Sequence, residues 1–229
     1  MNREIATKIL TLLVGAGMLA AIGLVFAYAP VESNMGVVQK IFYFHASSAY
    51  LMYLSWSVCT IASILYLVRR KDGFDVFAAS AGELALVFAT IVMITGPLWG
   101  RKSWGAYWTW DPRLTSALLL TLIILAYNLL RGLSSGEAER RFAAALSILG
   151  ACIVPIIHVS VQKWRGQHPT VITGKGGGLA PEMAWTFALT LIVFSGFFVV
   201  LLSRRVSLEK NKRELQRLEE EAAAEGLLQ

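Results

Sequence analysis

The chain has 229 residues, 56% of them hydrophobic and 16% charged, with a formal net charge of +6 and a mean hydropathy of +0.58. Soluble domains average about 45–50% apolar and roughly 25% charged residues, so this composition excludes a disordered chain, a collagen-like chain and a small disulfide-stapled domain, and indicates a membrane protein. The pI of about 9.5 would suit a nucleic-acid binder, but the basic residues sit in short loops between apolar blocks, which is how membrane proteins carry charge.

A membrane-spanning helix needs about 20 mostly apolar residues. Six runs meet that condition, at 9–29, 41–68, 76–98, 114–130, 142–161 and 184–202. They predict an all-α integral membrane protein, with one bundle of six transmembrane helices over residues 1–203 and a charged helical tail over 204–229. The first run follows Arg3 and Lys8 and ends in Ala27-Tyr28-Ala29, features shared with a cleaved signal peptide. It is longer than the usual apolar core of such a peptide, and Pro30 would follow the cut, so it reads as a retained span.

Six spans place both termini on one side. Fourteen of the 21 Lys and Arg residues then lie on that side and seven on the other, which makes both termini cytoplasmic by the positive-inside rule. Without the tail the balance is eight to seven. The outer segments, with Lys40, Arg101, Lys102, Arg113, Lys163, Arg165 and Lys175, are therefore unusually basic and suit an anionic ligand.

Span two opens on Phe42-Tyr43-Phe44-His45 at its outer end. Cys59 and Cys152 lie in apolar runs without a CxxC pattern, so neither a zinc site nor a redox pair is expected. In span three, Glu83 reads as a helix-packing polar contact, with a proton site as the alternative. The densest signal follows. The segment from Trp99 to Thr115 holds Trp99, Trp104, Tyr107, Trp108 and Trp110 together with Arg101, Lys102, Asp111 and Arg113. Gly100, Gly105 and Pro112 should break it into a compact loop or a short surface helix. Two readings stay open: an interfacial aromatic belt, or a flat apolar platform for a large planar ligand with negative groups. Asp111 is expected to be fixed by a neighbouring Arg or by indole N–H groups.

His158 lies inside span five, three residues after Pro155, and reads as a structural group that satisfies a freed carbonyl, with direct ligation as the alternative. His168 lies in the outer segment between spans five and six. His45 and His168 thus share the outer side with the tryptophans. Two imidazoles can hold a haem iron axially, one from each face; the alternative is an interfacial tip at His45 and a backbone-bonded loop residue at His168. The stretch 174–178 is glycine-rich without Walker spacing and reads as a hinge. In the tail, Glu209 and Arg213 are spaced for an i,i+4 pair on a solvated helix.

The run Trp104-Gly-Ala-Tyr107-Trp108-Thr-Trp110-Asp111-Pro-Arg113-Leu-Thr115 resembles the tryptophan-rich "WWD" signature of haem-handling proteins of cytochrome c biogenesis. Six spans, His45 after Phe-Tyr-Phe and the later His168 resemble the haem exporter protein C (CcmC) branch. Tyr107 stands where many relatives have tryptophan. The resemblance implies that His45 and His168 are the axial metal ligands of haem b. It further implies that Trp104, Trp108, Trp110, Asp111 and Arg113 belong to the loop that holds the haem. It implies transfer to the haem chaperone CcmE and association with the CcmA–CcmB ABC transporter and CcmD. The short basic start without a transit-like presequence favours a bacterial cytoplasmic membrane over a mitochondrial one, with the Trp-rich loop periplasmic. Competing classes are a transporter subunit moving haem or another small molecule, a cytochrome b-like electron-transfer subunit and a non-catalytic partner-binding subunit. The first predicts more polar span faces than are present, and the second predicts axial histidines buried within spans.

Overall fold

The computed structural model describes residues 3–133, 136–164, 168 and 178–226. Among the described residues, six helices are long and apolar enough to cross a membrane. They are α1 (Arg3–Gly23, prolonged by a π-helical turn Leu24–Tyr28), α2 (Ile41–Arg69), α3 (Asp72–Trp104), α4 (Pro112–Leu133), α5 (Glu137–Trp164) and α6 (Pro181–Ala224). Two residues join α2 to α3, seven join α3 to α4 and three join α4 to α5, so these helices run antiparallel. The starts of α2, α4 and α6 meet the ends of α3 and α5 around one hollow, lined by Phe42, Trp99, Arg113, His158 and Phe187.

The centre is the α2–α3 hairpin. Bilayer lipid is as apolar as a leucine, so helices associate there through close packing of small residues. Both helices supply such a face: Ser48, Ser55, Cys59, Ala62 and Ser63 on α2, and Ala78, Ala81, Gly82, Ala85 and Ala89 on α3, all buried. Trp56 fills the space between this hairpin and its neighbours and meets Tyr127 of α4 edge to face, with ring centroids 5.6 Å apart. On α5, Gly150 makes room for it, because a Cβ there would lie 2.7 Å from Trp56 Cζ2. Asn128 ties α4 to α3 by donating to the Gly82 carbonyl at 3.0 Å. The outermost helix, α1, lies along α6 and keeps Leu12, Leu13 and Leu19 on the lipid-facing surface.

Between α1 and α2, the Glu32 carboxylate accepts the amides of Met35 and Asn34, and these bonds hold its carboxyl below the usual carboxylate range. Lys40, expected as an outer cation, is buried instead. Its Nζ donates to the carbonyls of Val25 (2.6 Å) and Ala29 and closes the C-terminal end of the first span.

At the opposite end, buried Asp75 on α3 gathers three helices. Arg131 of α4 donates to both its oxygens at 2.8 and 2.9 Å, and Arg213 of α6 donates to Oδ2 at 2.8 Å. Arg140 of α5 lies 3.7 Å away. The expected Glu209–Arg213 pair forms at 2.9 Å, but on a buried face rather than a solvated one. Glu83 is clamped by both Arg205 Nε and Nη2, which makes it a contact between α3 and α6. No helix break separates bundle from tail: α6 is continuous over 44 residues, past residue 203.

Candidate functional site

Two adjoining hollows occupy the end of the bundle opposite Asp75, of about 70 and 320 Å³. His45, Ala49, Tyr53, Trp99, Arg113 and His168 line both. Four elements contribute: His45, Ala49 and Tyr53 come from the first turns of α2, Trp99 from the last turns of α3, Arg113 from the start of α4, and His168 from the connection between α5 and α6. Trp104 and Trp108 close the smaller hollow, while Phe42, Tyr50, His158 and Phe187 border the larger.

The aromatic segment is built differently from the expected loop or surface helix. Pro97 and Gly100 do not interrupt α3, which runs on to Trp104. Gly105 then ends it in the left-handed region (φ +83°), a conformation that glycine adopts without strain. Only residues 105–111 are non-helical, and Pro112 opens α4, where a missing N–H costs nothing. Nor is the surface a flat platform. Trp99 and Trp104 meet at 72° and Trp108 and Trp110 at 83°, with centroids 5.7 and 5.8 Å apart. These edge-to-face pairs make angled walls, in which Trp99 turns toward His168 (centroids 6.5 Å, planes 29°).

The polar residues sort by what they touch. Asp111 is the N-cap of α4: its Oδ1 accepts the Arg113 amide at 2.8 Å and its carbonyl accepts the Thr115 amide. Arg101 donates to the Gly105 carbonyl and lies 5.7 Å over the Tyr107 ring, so it braces the loop. Lys102 is exposed and lines neither hollow. Tyr107 and Trp110 face outward, 58% and 77% exposed. Of the basic residues singled out in this segment, Arg113 is the one that reaches both hollows.

His45 Nδ1 lies 2.9 Å from Thr95 Oγ1 of α3. Thr95 and the adjoining Gly96 carry no recognised motif, and sequence reasoning missed both; a hydroxyl, a glycine and a proline in succession inside an apolar run were the available signal. His158 does not satisfy the carbonyl that Pro155 frees. That carbonyl belongs to Ala151, four residues before the proline, whereas His158 Nδ1 bonds Val154 O at 3.1 Å. Its ring packs 5.1 Å from Tyr53 at the border of the larger hollow. The glycine-rich stretch at 174–177, with Arg165 and Lys175, lies outside the described residues.

A family profile described as heme exporter protein C matches residues 2–221. The chain belongs to the heme exporter protein C family. It is 36% identical over 209 residues to the heme exporter protein C of Bradyrhizobium diazoefficiens, covering 88% of this chain and 80% of that one. It is 30% identical over 199 residues to that of Rhodobacter capsulatus (85% and 82%). A ccmC-like mitochondrial protein of cytochrome c biosynthesis from Marchantia polymorpha is 30% identical over 184 residues (79% and 78%). The heme exporter protein C family handles haem in cytochrome c biogenesis, and in this member a multi-pass bundle of six helices is the frame for that role.

Proposed function

We propose that the protein binds haem b at the outer face of a bacterial cytoplasmic membrane, between His45 and His168, and presents it to the periplasmic chaperone CcmE during cytochrome c maturation. The observation that carries this reading is the convergence of two imidazoles, one guanidinium and a wall of indoles on the same pair of hollows.

The donor set suits a haem. Among the described residues, the indole N–H groups of Trp99, Trp104 and Trp108 are buried without an acceptor, which is costly unless a ligand supplies one. Carboxylates of a bound porphyrin would accept from them, beside the Arg113 cation. Bound haem supplies an iron for the imidazoles and a vinyl edge for covalent attachment to the chaperone. The chain's own residues do the rest. His45 is held by α3 through Thr95, and Trp99 lies nearly parallel to His168. Tyr107 and Trp110, outside the hollows and exposed, form the edge that meets the chaperone. Asp111 and Arg101 keep that edge in shape, and Lys102 adds surface charge. In this reading the chain positions its cargo and performs no acid–base chemistry. CcmA–CcmB and CcmD are its membrane partners, both termini are cytoplasmic, and the tryptophan segment is periplasmic.

Visible absorption spectra of the purified protein with its haem supply intact, oxidised and then reduced, test the reading. Six-coordinate bands should be lost or shifted in both His45→Ala and His168→Ala and kept in His158→Ala. Loss in His158→Ala alone moves the ligand to the border of the larger hollow. Bands indifferent to both outer substitutions overturn the assignment.

A further inference from the structure

We infer that Thr95 is the positioning residue of the His45 ligand: its hydroxyl accepts the Nδ1 proton of His45 and reserves Nε2 for the iron. The inference rests on the reading of His45 as a haem ligand. The direction of the hydrogen bond follows from counting protons. A threonine hydroxyl has one, and a backbone carbonyl can only accept. Thr95 Oγ1 lies 2.7 Å from the Ile91 carbonyl, so its proton is committed there. What it offers His45 Nδ1 at 2.9 Å is a lone pair. His45 therefore donates through Nδ1, and its unprotonated nitrogen is Nε2.

Three features make the acceptor firm. The β-branched side chain has few rotamers, and its bond to the carbonyl one turn back fixes the one it uses. Gly96 beside it leaves the imidazole room against α3, since a Cβ there would lie 3.3 Å from His45 Cε1. Thr95 and Trp99 are four residues apart on α3, so the acceptor for one ligand and the ring stacked on the other share one helical face. His158 gives the contrast: its Nδ1 bonds a carbonyl of its own helix, so no neighbouring helix sets its ring by that bond.

The test uses the full chain in detergent with three threonine variants, beside His45→Ala. Thr95→Val keeps the shape and removes the acceptor. Thr95→Ser keeps the hydroxyl. Thr90→Val removes an equivalent hydroxyl-to-carbonyl bond on the exposed side of α3, away from any histidine. The first readout is haem-free: nitrogen NMR of histidine-labelled protein. His45 should be protonated at Nδ1 in the parent, Thr95→Ser and Thr90→Val, and shift toward Nε2 protonation in Thr95→Val. The second is haem titration followed by absorption. Loss of a ligand's hydrogen-bond partner typically weakens metal affinity 10–100-fold, which is the loss expected for Thr95→Val alone. An unchanged tautomer and affinity in Thr95→Val, while His45→Ala abolishes the six-coordinate bands, overturns the role of Thr95 and leaves the ligand assignment standing. Equal losses in Thr95→Val and Thr90→Val also overturn it, because they assign the effect to α3 stability. If His45→Ala leaves the bands unchanged, the ligand reading itself has failed, and the tautomer shift alone decides whether Thr95 sets the ring.

Discussion

Single side chains at the end of the bundle that holds the hollows do unlike jobs despite their proximity in sequence. Within Arg101–Arg113, Arg101 closes the end of one helix, Asp111 opens the next, and Arg113 reaches the hollows. Replacing Asp111 by Ala should cost about 1 kcal/mol through loss of the cap and speed amide exchange in the first turn of α4, whereas Asn should be tolerated. Hydrogen exchange resolved by residue reads this directly. Composition alone could not separate these roles. The cluster and its polarity were legible, but whether a charge faces a helix end or a hollow depends on where α3 stops, and Gly105 rather than Gly100 decides that. His45 and His168 were visible as candidates because both flank the aromatic run. Thr95 was invisible because a hydroxyl in an apolar span usually bonds its own helix, as Thr95 also does; its second contact comes only with the packing of α2 on α3.

Among the elements, the six apolar runs were legible because hydropathy over about 20 residues is a strong signal. Their ends were not. The helices outrun the apolar stretches: α3 reaches Trp104, six residues past its run, and α6 carries on through the tail. Polar residues prolong a helix when its neighbours give them partners, and here Asp75, Glu83 and Glu209 partner arginines from other turns or other helices. Removing one member of a buried charged cluster leaves the rest uncompensated, at a cost of about 3–5 kcal/mol. Asp75→Asn should therefore lower the unfolding midpoint in detergent markedly. Glu214→Gln, whose partner Arg217 is more than half exposed, should change stability by less than about 0.5 kcal/mol. Comparable thermal shifts for the two variants would disprove the distinction. Glu83 and Arg205 lie 122 residues apart in sequence, too far for any local pattern to pair them.

For the molecule as a whole, orientation has a direct check. Exposed Trp110 at one end and exposed Leu218 at the other are suitable sites for single cysteines in a background without Cys59 and Cys152. In intact cells an impermeant thiol reagent should label Trp110→Cys from outside, and Leu218→Cys only after lysis; the reverse pattern would invert the bundle. The two ends also share a mechanical axis. At about 1.5 Å per residue, the 44 residues of α6 extend roughly 66 Å, about twice the thickness of a bilayer's hydrocarbon core. No proline follows Pro181 in that rod, which carries Phe187 at the larger hollow and Arg213 at the Asp75 cluster. Such a rod would act as a lever: a rigid-body tilt of the arm that carries Arg213 would swing the wall formed by Phe187 with it.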